Sequence, residues 1–225
     1  MRKVVYSVGV SLDGYIADPN GGVEWLDRAT SKAKGEDFGL AAFFKSIDTV
    51  LMGRKTYEIV RKMQGGKTVY PGMKNYIFSR TLPPGHRDGM EFVADDPAQV
   101  LAKLKQQPGK NIWLCGGGEL ARHCLNRHAV DEITLGVVPR LIGGGLPTFP
   151  PGFDETEVEL AEVKQYKGGV VGLTYRVIYA GEVAPKKREA ATAKPAPARP
   201  AVKKATAKKS SKKKTTKATS AAKAL

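Results

Sequence analysis

The sequence predicts an α/β domain with a central mixed, mostly parallel sheet, helices on both faces and a closing antiparallel hairpin. Three observations carry that prediction. Short aliphatic runs alternate with stretches of helical periodicity through most of the chain. Two of those runs break at glycine directly before a helix pattern: Val50-Leu51-Met52-Gly53-Arg54-Lys55-Thr56-Tyr57-Glu58 and Leu114-Cys115-Gly116-Gly117-Gly118-Glu119-Leu120. The last two apolar segments, Val158 to Tyr166 and Val170 to Tyr179, alternate in β fashion about Lys167-Gly168-Gly169.

Taken in order, Val4 to Val10 is a mostly continuous apolar run suited to a sheet interior. Ser11 to Ala17 leaves the sheet, and Asp18-Pro19-Asn20-Gly21-Gly22 signals a turn. Val23 to Leu26 is a short apolar segment, and Asp27 to Gly35 reads as polar connection. Glu36 to Ile47 has helical spacing through Phe38, Leu40, Ala41, Phe43, Phe44 and Ile47, with Asp37 in its first turn. Thr49 to Met52 is the central strand and Arg54 to Met63 a helix closed by Gly65-Gly66. Lys74 to Arg80 and Glu91 to Val93 are strands. Asp96-Pro97 opens a helix through Lys105, an N-cap carboxylate followed by proline at the first helical position. Asn111 to Cys115 is a buried strand, Glu119 to Arg127 a helix and Asp131 to Val138 a strand. Pro139 to Pro150 is a glycine-rich loop before the hairpin.

Composition divides the chain at residue 184. From there to the end it contains 14 of the 37 Lys and Arg but one of the 22 Asp and Glu, so it carries +13 of the net +15 and leaves +2 on residues 1–183. Residues 184–225 have no aromatic residue and only Val202 and Leu225 as sizeable aliphatics, and are rich in Lys, Ala, Pro, Thr and Ser, a composition that predicts a disordered basic tail. Residues 1–183 suffice for one domain with a sizeable core. No apolar run approaches the ~20 residues that span a bilayer, and Met-Arg-Lys leads straight into a strand pattern. Cys115 and Cys124 make no zinc or CxxC spacing. These features predict a reduced, cytoplasmic protein without metal.

Chemistry is concentrated at three strand ends. Gly53 lets a ligand approach the backbone, Arg54 and Lys55 offer cations, and Thr56 offers a hydroxyl, all at a helix start suited to phosphate. Gly116, Gly117 and Gly118 precede a second helix start. Ser79 and Arg80 end a third strand. Open α/β sheets bind ligands at such carboxyl ends, so the coincidence points to a nucleotide spread across three of them. Asp13 and Asp37 are the candidate acids: Asp13 in a loop flanking the ligand, Asp37 on the helix before the central strand.

The order SLDGYIA, LMGRKTYE, IFSR, GGGEL, DEITLGVVPRLIGGGLPTFP and a closing hairpin resembles the dihydrofolate reductase superfamily. Within it, the chain is similar to bacterial "dihydrofolate reductase family" proteins related to the C-terminal reductase domain of riboflavin biosynthesis. The resemblance implies a dihydrofolate-reductase-like three-layer fold and NADPH as cofactor. It places Gly53, Arg54, Lys55 and Thr56 at the phosphates, with Arg54 at the 2′-phosphate. Ser79 and Arg80 would flank the adenosine. Gly116, Gly117 and Gly118 would lie under the pyrophosphate, the first two joined by a cis peptide, with Glu119 and Leu120 continuing the helix. It implies a buried acid of raised pKa at Asp37, with Asp13 as the competing acid. The implied activity is hydride transfer to a small heterocycle, pterin-like or ribosylaminopyrimidine-like. The substrate pocket would be lined by the Ser11–Ala17 loop, the Asp37 helix and the Leu141–Phe149 loop, and the implied assembly is a homodimer paired through its sheets. The zinc-deaminase signature often fused to such reductases is missing.

The tail adds a second expectation. Lysines without interleaved aromatics predict sequence-independent contact of residues 184–225 with nucleic acid or another polyanion, and hence association with the nucleoid. The alternative function is a nucleic-acid-associated protein whose reductase-like body binds a nucleotide without turning it over.

Overall fold

A computed structural model describes residues 1–31, 33–66 and 69–179. The expected tail and its boundary at residue 184 lie outside the described residues. The chain runs β1 (Val4–Ser11), β2 (Tyr15–Ala17), α1 (Glu24–Thr30), α2 (Leu40–Ser46), β3 (Ile47–Gly53) and α3 (Arg54–Met63). It continues with β4 (Lys74–Phe78), β5 (Gly85–Arg87), β6 (Met90–Val93), α4 (Pro97–Gln106), β7 (Asn111–Leu114) and α5 (Gly118–Leu125). Then come β8 (Glu132–Val138), β9 (Leu146–Pro147), β10 (Glu157–Gln165) and β11 (Val171–Ile178).

The main sheet has the order β10-β11-β8-β1-β7-β3-β4-β6-β5. From β8 to β6 neighbouring strands are parallel. The edges are antiparallel: β11 on β8, β10 on β11, and β5 on β6. This is the mixed, mostly parallel sheet expected from the sequence. The parallel strands are buried on both faces, which is why they read as apolar runs rather than as alternation. On one face Tyr6, Leu51, Ile112 and Leu114 pack with Leu101 and Leu104 of α4 and Ala121 and Leu125 of α5. On the other, Val50, Met52, Ile77 and Trp113 pack against α2 and α3. Trp113 is 1% exposed, is edged by Phe43, Phe44 and Tyr70, and donates its indole N–H to Ser7 O at 2.9 Å.

Helix starts follow local chemistry. Asp96 caps α4, its carboxylate accepting the Ala98 and Gln99 N–H groups at 2.9 and 3.2 Å. After α3, Gly66 N donates back to Arg61 O at 2.8 Å, closing the helix as the glycine pair predicts.

Four local features depart from the sequence expectation. The stretch Asp27–Gly35, expected to be polar connection, is helical through Thr30, because Trp25, Leu26 and Ala29 form one face that packs on Val138 and Val170. The helix expected from Glu36 starts at Leu40, since Phe38 and Gly39 have φ of 54° and 79°. A hairpin, β5–β6, turns through Asp88-Gly89 with φ of 52° and 73°, the Asp-Gly pattern of a two-residue primed turn. Finally, β2 and β9 pair antiparallel and join the loop after β1 to the glycine-rich loop.

Candidate functional site

The strands β7, β3 and β4 are adjacent and parallel, so their carboxyl ends stand side by side. Those ends carry the three sequence features singled out above: Gly116–Gly118 after β7, Gly53–Thr56 after β3, and Ser79-Arg80 after β4. The carboxyl end of the sheet therefore gathers residues that lie 60 or more positions apart at their extremes.

At the middle end, Gly53 has extended backbone with φ −78°, and a Cβ built on it would meet nothing within 4 Å. The N-terminus of α3 has no side-chain cap, which leaves its first N–H groups for a ligand or water. Arg54 pairs with Glu58 at 2.7 Å, but both side chains are more than a third exposed (38% and 50%). So exposed a pair contributes little and is easily exchanged for a phosphate. Lys55 is exposed. Thr56 reaches the neighbouring turn: its Oγ1 lies 3.5 Å from where a Gly117 Cβ would stand.

At the β7 end, Cys115 N extends the ladder to Leu51 O at 2.8 Å before the chain turns through Gly116 and Gly117, with φ of 63° and 77°. Two successive left-handed residues require glycine. The described residues contain no cis peptide bond, so the cis link implied at Gly116–Gly117 is not found. The α5 N-terminus also lacks a side-chain cap. Gly118 serves packing: a Cβ there would stand 2.6 Å from Pro147 O and 3.0 Å from Thr148 O. Leu120 backs Gly117 and packs into the core, whereas Glu119 is exposed and pairs with Arg122 at 2.6 Å.

At the β4 end, the Ser79 hydroxyl is engaged locally. Its Oγ accepts the Thr81 and Leu82 N–H groups at 3.1 and 2.8 Å, which shapes the turn that follows. Arg80 is exposed.

The two candidate acids have different surroundings, and Asp37 departs from expectation. Asp37 is exposed rather than buried, and its carboxylate accepts the Gly39 and Ala41 N–H groups at 3.0 and 3.3 Å. It shapes the entry to α2, and the buried carboxyl expected there is absent because the chain in front of α2 is a surface turn. Asp13 sits between two loops. The Ser11 hydroxyl, followed by the Gly143 and Ile142 N–H groups, holds its carboxyl below its ordinary value against a smaller opposing effect of burial. Cys115 is fully enclosed beside the Tyr70 hydroxyl at 3.5 Å, and burial pushes its thiol up to about 12. That rules it out as a nucleophile near neutral pH. Among the described residues no group of three His, Cys, Asp or Glu side chains is placed to hold a metal, and no helix is long and apolar enough to cross a membrane.

A cavity of about 280 Å³ opens between the sheet and the helices α1 and α2. Its floor is small or polar (Ser7, Gly9, Thr134, Gly136, Gly172 and Thr174), and Phe38, Leu40 and Phe43 form its wall. Of the three segments expected to line a substrate pocket, the one around α2 lines this cavity, and the two flanking loops do not. Sequence reasoning missed the floor. Thr134, Gly136, Gly172 and Thr174 alternate with apolar residues along β8 and β11, which is the signal that marks them as one face.

The sequence pattern of the RibD C-terminal domain family matches residues 2–172. The chain belongs to that family. Its fold is the dihydrofolate-reductase-like fold that the motif order suggested. The Bacillus subtilis protein YwjB is 35% identical over 176 residues, which are 77% of this chain and 97% of YwjB. YyaP of the same organism is 30% identical over 184 residues, covering 77% of this chain and 94% of YyaP. Among solved structures, a putative riboflavin biosynthesis protein from Shewanella sp. PV-4 superposes with TM-score 0.67 at 26% identity, over 80% of this chain and all of that one. The Thermotoga maritima deaminase/reductase superposes with TM-score 0.59 at 14% identity over 79% of this chain and 57% of its own, a likeness of fold.

Proposed function

We propose that the protein is an NADPH-dependent reductase of a small planar heterocycle, pterin-like or ribosylaminopyrimidine-like. The observation that carries the reading is the alignment of Gly116–Gly118, Gly53–Thr56 and Ser79-Arg80 along three adjacent parallel strand ends. The residues fit a dinucleotide: two uncapped helix starts offer N–H groups, Gly53 leaves its surface open, and Arg54, Lys55 and Arg80 supply exposed positive charge. Relatives of the same fold include a 5-amino-6-(5-phosphoribosylamino)uracil reductase, which supports the substrate class.

The bound cofactor would supply the hydride; the chain's share is binding, orientation and exclusion of water. Gly116 and Gly117 would let the pyrophosphate approach the α5 N-terminus, with Thr56 between the two glycine sites. Arg54, released from Glu58, would take the 2′-phosphate bidentately. The cavity beneath α2 would hold the heterocycle flat between Phe38, Phe43 and the Thr134–Thr174 floor.

Calorimetric titration with NADPH and NADH, followed by NADPH oxidation across pterins, pyrimidines and quinones, tests the proposal. Arg54→Ala should weaken NADPH about tenfold or more with little effect on NADH. Equal loss for both removes Arg54 from the 2′-phosphate. NADPH binding without turnover on any acceptor favours the second reading, a nucleic-acid-associated protein with a catalytically silent body. That reading is favoured by one observation: the family match ends at residue 172, and +13 of net charge lies beyond residue 183. Gel-shift titration of the full chain against one ending at residue 183 tests polyanion binding, and equal affinities would sink it.

A homodimer is the proposed assembly. The edge strand β10 exposes Val158, Leu160 and Val163 at 41%, 51% and 55%. Cross-strand pairing puts all three on one face with Val177, Tyr175 and Leu173. Light scattering should give twice the chain mass, and Leu160→Lys should halve it.

A further inference from the structure

The loops that follow β1 and β8 leave neighbouring strand ends, since the two strands pair in register from Val5↔Glu132 to Ser11↔Val138. The Asp13 carboxylate stands between them. It accepts the Ser11 hydroxyl at 2.6 Å, the Ile142 N–H at 3.1 Å and the Gly143 N–H at 2.7 Å. On either side the same loops are tied by Leu12 N to Arg140 O at 2.8 Å and by the Thr148 N–H and hydroxyl, both donating to Gly14 O at 2.9 Å. Farther along, the second loop rests on the glycine turn. Pro147 O and Thr148 O occupy the space into which a Gly118 Cβ would project, at 2.6 and 3.0 Å. Hydrogen bonds thus tie Asp13 and Gly14 to Ile142, Gly143 and Thr148 of the second loop, and the Pro147 and Thr148 carbonyls of that loop abut the first residue of α5.

We infer that Asp13 is a positioning residue: its carboxylate clasps the loop after β1 to the loop after β8 and so fixes the segment that abuts the pyrophosphate end of the site. The inference rests on the proposed dinucleotide reading. A carboxylate that accepts three hydrogen bonds is held in its ionised form. It is therefore a poor proton donor, and its oxygens face the protein's own donors. The exposed Leu12 and Leu141, at 63% and 70%, sit on the clasped loops and are carried by them.

The test uses the full chain with Asp13→Asn, which keeps the shape but presents an amide to N–H donors, and with Ser11→Ala, which removes one hydrogen bond and leaves the carboxylate. Hydrogen exchange at the Ile142 and Gly143 amides should accelerate about tenfold or more in Asp13→Asn, and less in Ser11→Ala. Affinity for NADPH and for NADH should fall together, by roughly tenfold, because the clasp acts at the pyrophosphate that both share. This separates Asp13 from Arg54, whose loss should divide the two cofactors. Unchanged exchange at both amides overturns the clasp. Faster exchange with unchanged dinucleotide affinity overturns its link to the site. Wild-type protein that binds neither dinucleotide refutes the reductase reading, and the exchange measurement still decides whether the clasp exists.

Discussion

Gly118→Ala is expected to destabilise the protein, although alanine is the better helix former. The new methyl would sit 2.6 Å from Pro147 O, 2.8 Å from Pro150 Cδ and 3.0 Å from Thr148 O. Relief requires moving backbone, since two of the three atoms are main-chain oxygens. That backbone is held by the two Thr148 bonds to Gly14 O at 2.9 Å and by the Tyr6 hydroxyl donating to Thr148 O at 3.2 Å. Overpacking of this kind costs about 1–3 kcal/mol. The opposing gain in helix propensity is at most about 1 kcal/mol, and smaller in a first turn. The steric effect wins, by roughly 1–2 kcal/mol. For a chain of this size that is a fall in Tm of about 3–6 °C. Thermal unfolding followed by circular dichroism measures it. A Tm equal to or above wild type would refute the reasoning, because the loop would then not be rigidly seated on α5.

Other predictions test different parts of the molecule. Gly53→Ala meets open space at an ordinary φ of −78°, where the poorer N-cap is offset by the stiffer unfolded chain, so its stability should stay within about 1 kcal/mol of wild type while NADPH affinity falls at least tenfold; unaffected binding removes Gly53 from the site. Arg2 is 5% exposed and bonds Asp48, Thr49 Oγ1 at 2.7 Å and Lys110 O at 2.5 Å, tying together the starts of β1, β3 and β7. Arg2→Ala should cost about 2–3 kcal/mol by urea unfolding, less than a fully buried pair because the Asp48 side chain is 35% exposed. Burial alone would raise the Asp48 carboxyl, but the Lys110 N–H, the Thr49 hydroxyl and Arg2 outweigh it and hold it below the ordinary value. Its contribution is therefore complete above the unfolded pKa of ~3.9 and is lost as pH falls through the lower folded value. Acid titration of wild type against Arg2→Ala should show the two stability curves converging below about pH 4, and parallel curves would contradict this. Cys115 and Cys124 are buried with thiols pushed up to about 12, so neither should react with a disulfide reagent at pH 8 until the chain unfolds. Rapid labelling of the native protein would contradict that enclosure.

Much of the fold was legible because its strongest signals are local. The buried parallel strands must be apolar, and Asp96-Pro97, Gly65-Gly66 and Gly116-Gly117-Gly118 mark helix ends whose chemistry lies within a few residues. Where length was short, periodicity failed: α1 has seven residues, and its helical state is decided by what Trp25 and Leu26 pack against. The β5–β6 hairpin was readable from Asp88-Gly89 but its strands are three and four residues long. The site divides in the same way. Gly53, Arg54, Thr56 and Gly116–Gly118 stand out in the sequence because glycine followed by a helix start is a contiguous pattern.

The sequence by itself determined that two strands end at glycine before a helix start, that one body is nearly neutral, and that the basic charge is concentrated after residue 183. Only the tertiary structure decided which strand ends are neighbours, because the order β7-β3-β4 joins segments far apart in the chain. It also set the surroundings of both acids. Asp37 lies on a surface turn that caps its own loop, and Asp13 faces N–H groups some 130 residues away, at Ile142 and Gly143. A carboxylate's role depends on what its oxygens meet and how much water they lose, and those are properties of packing that no local spacing encodes.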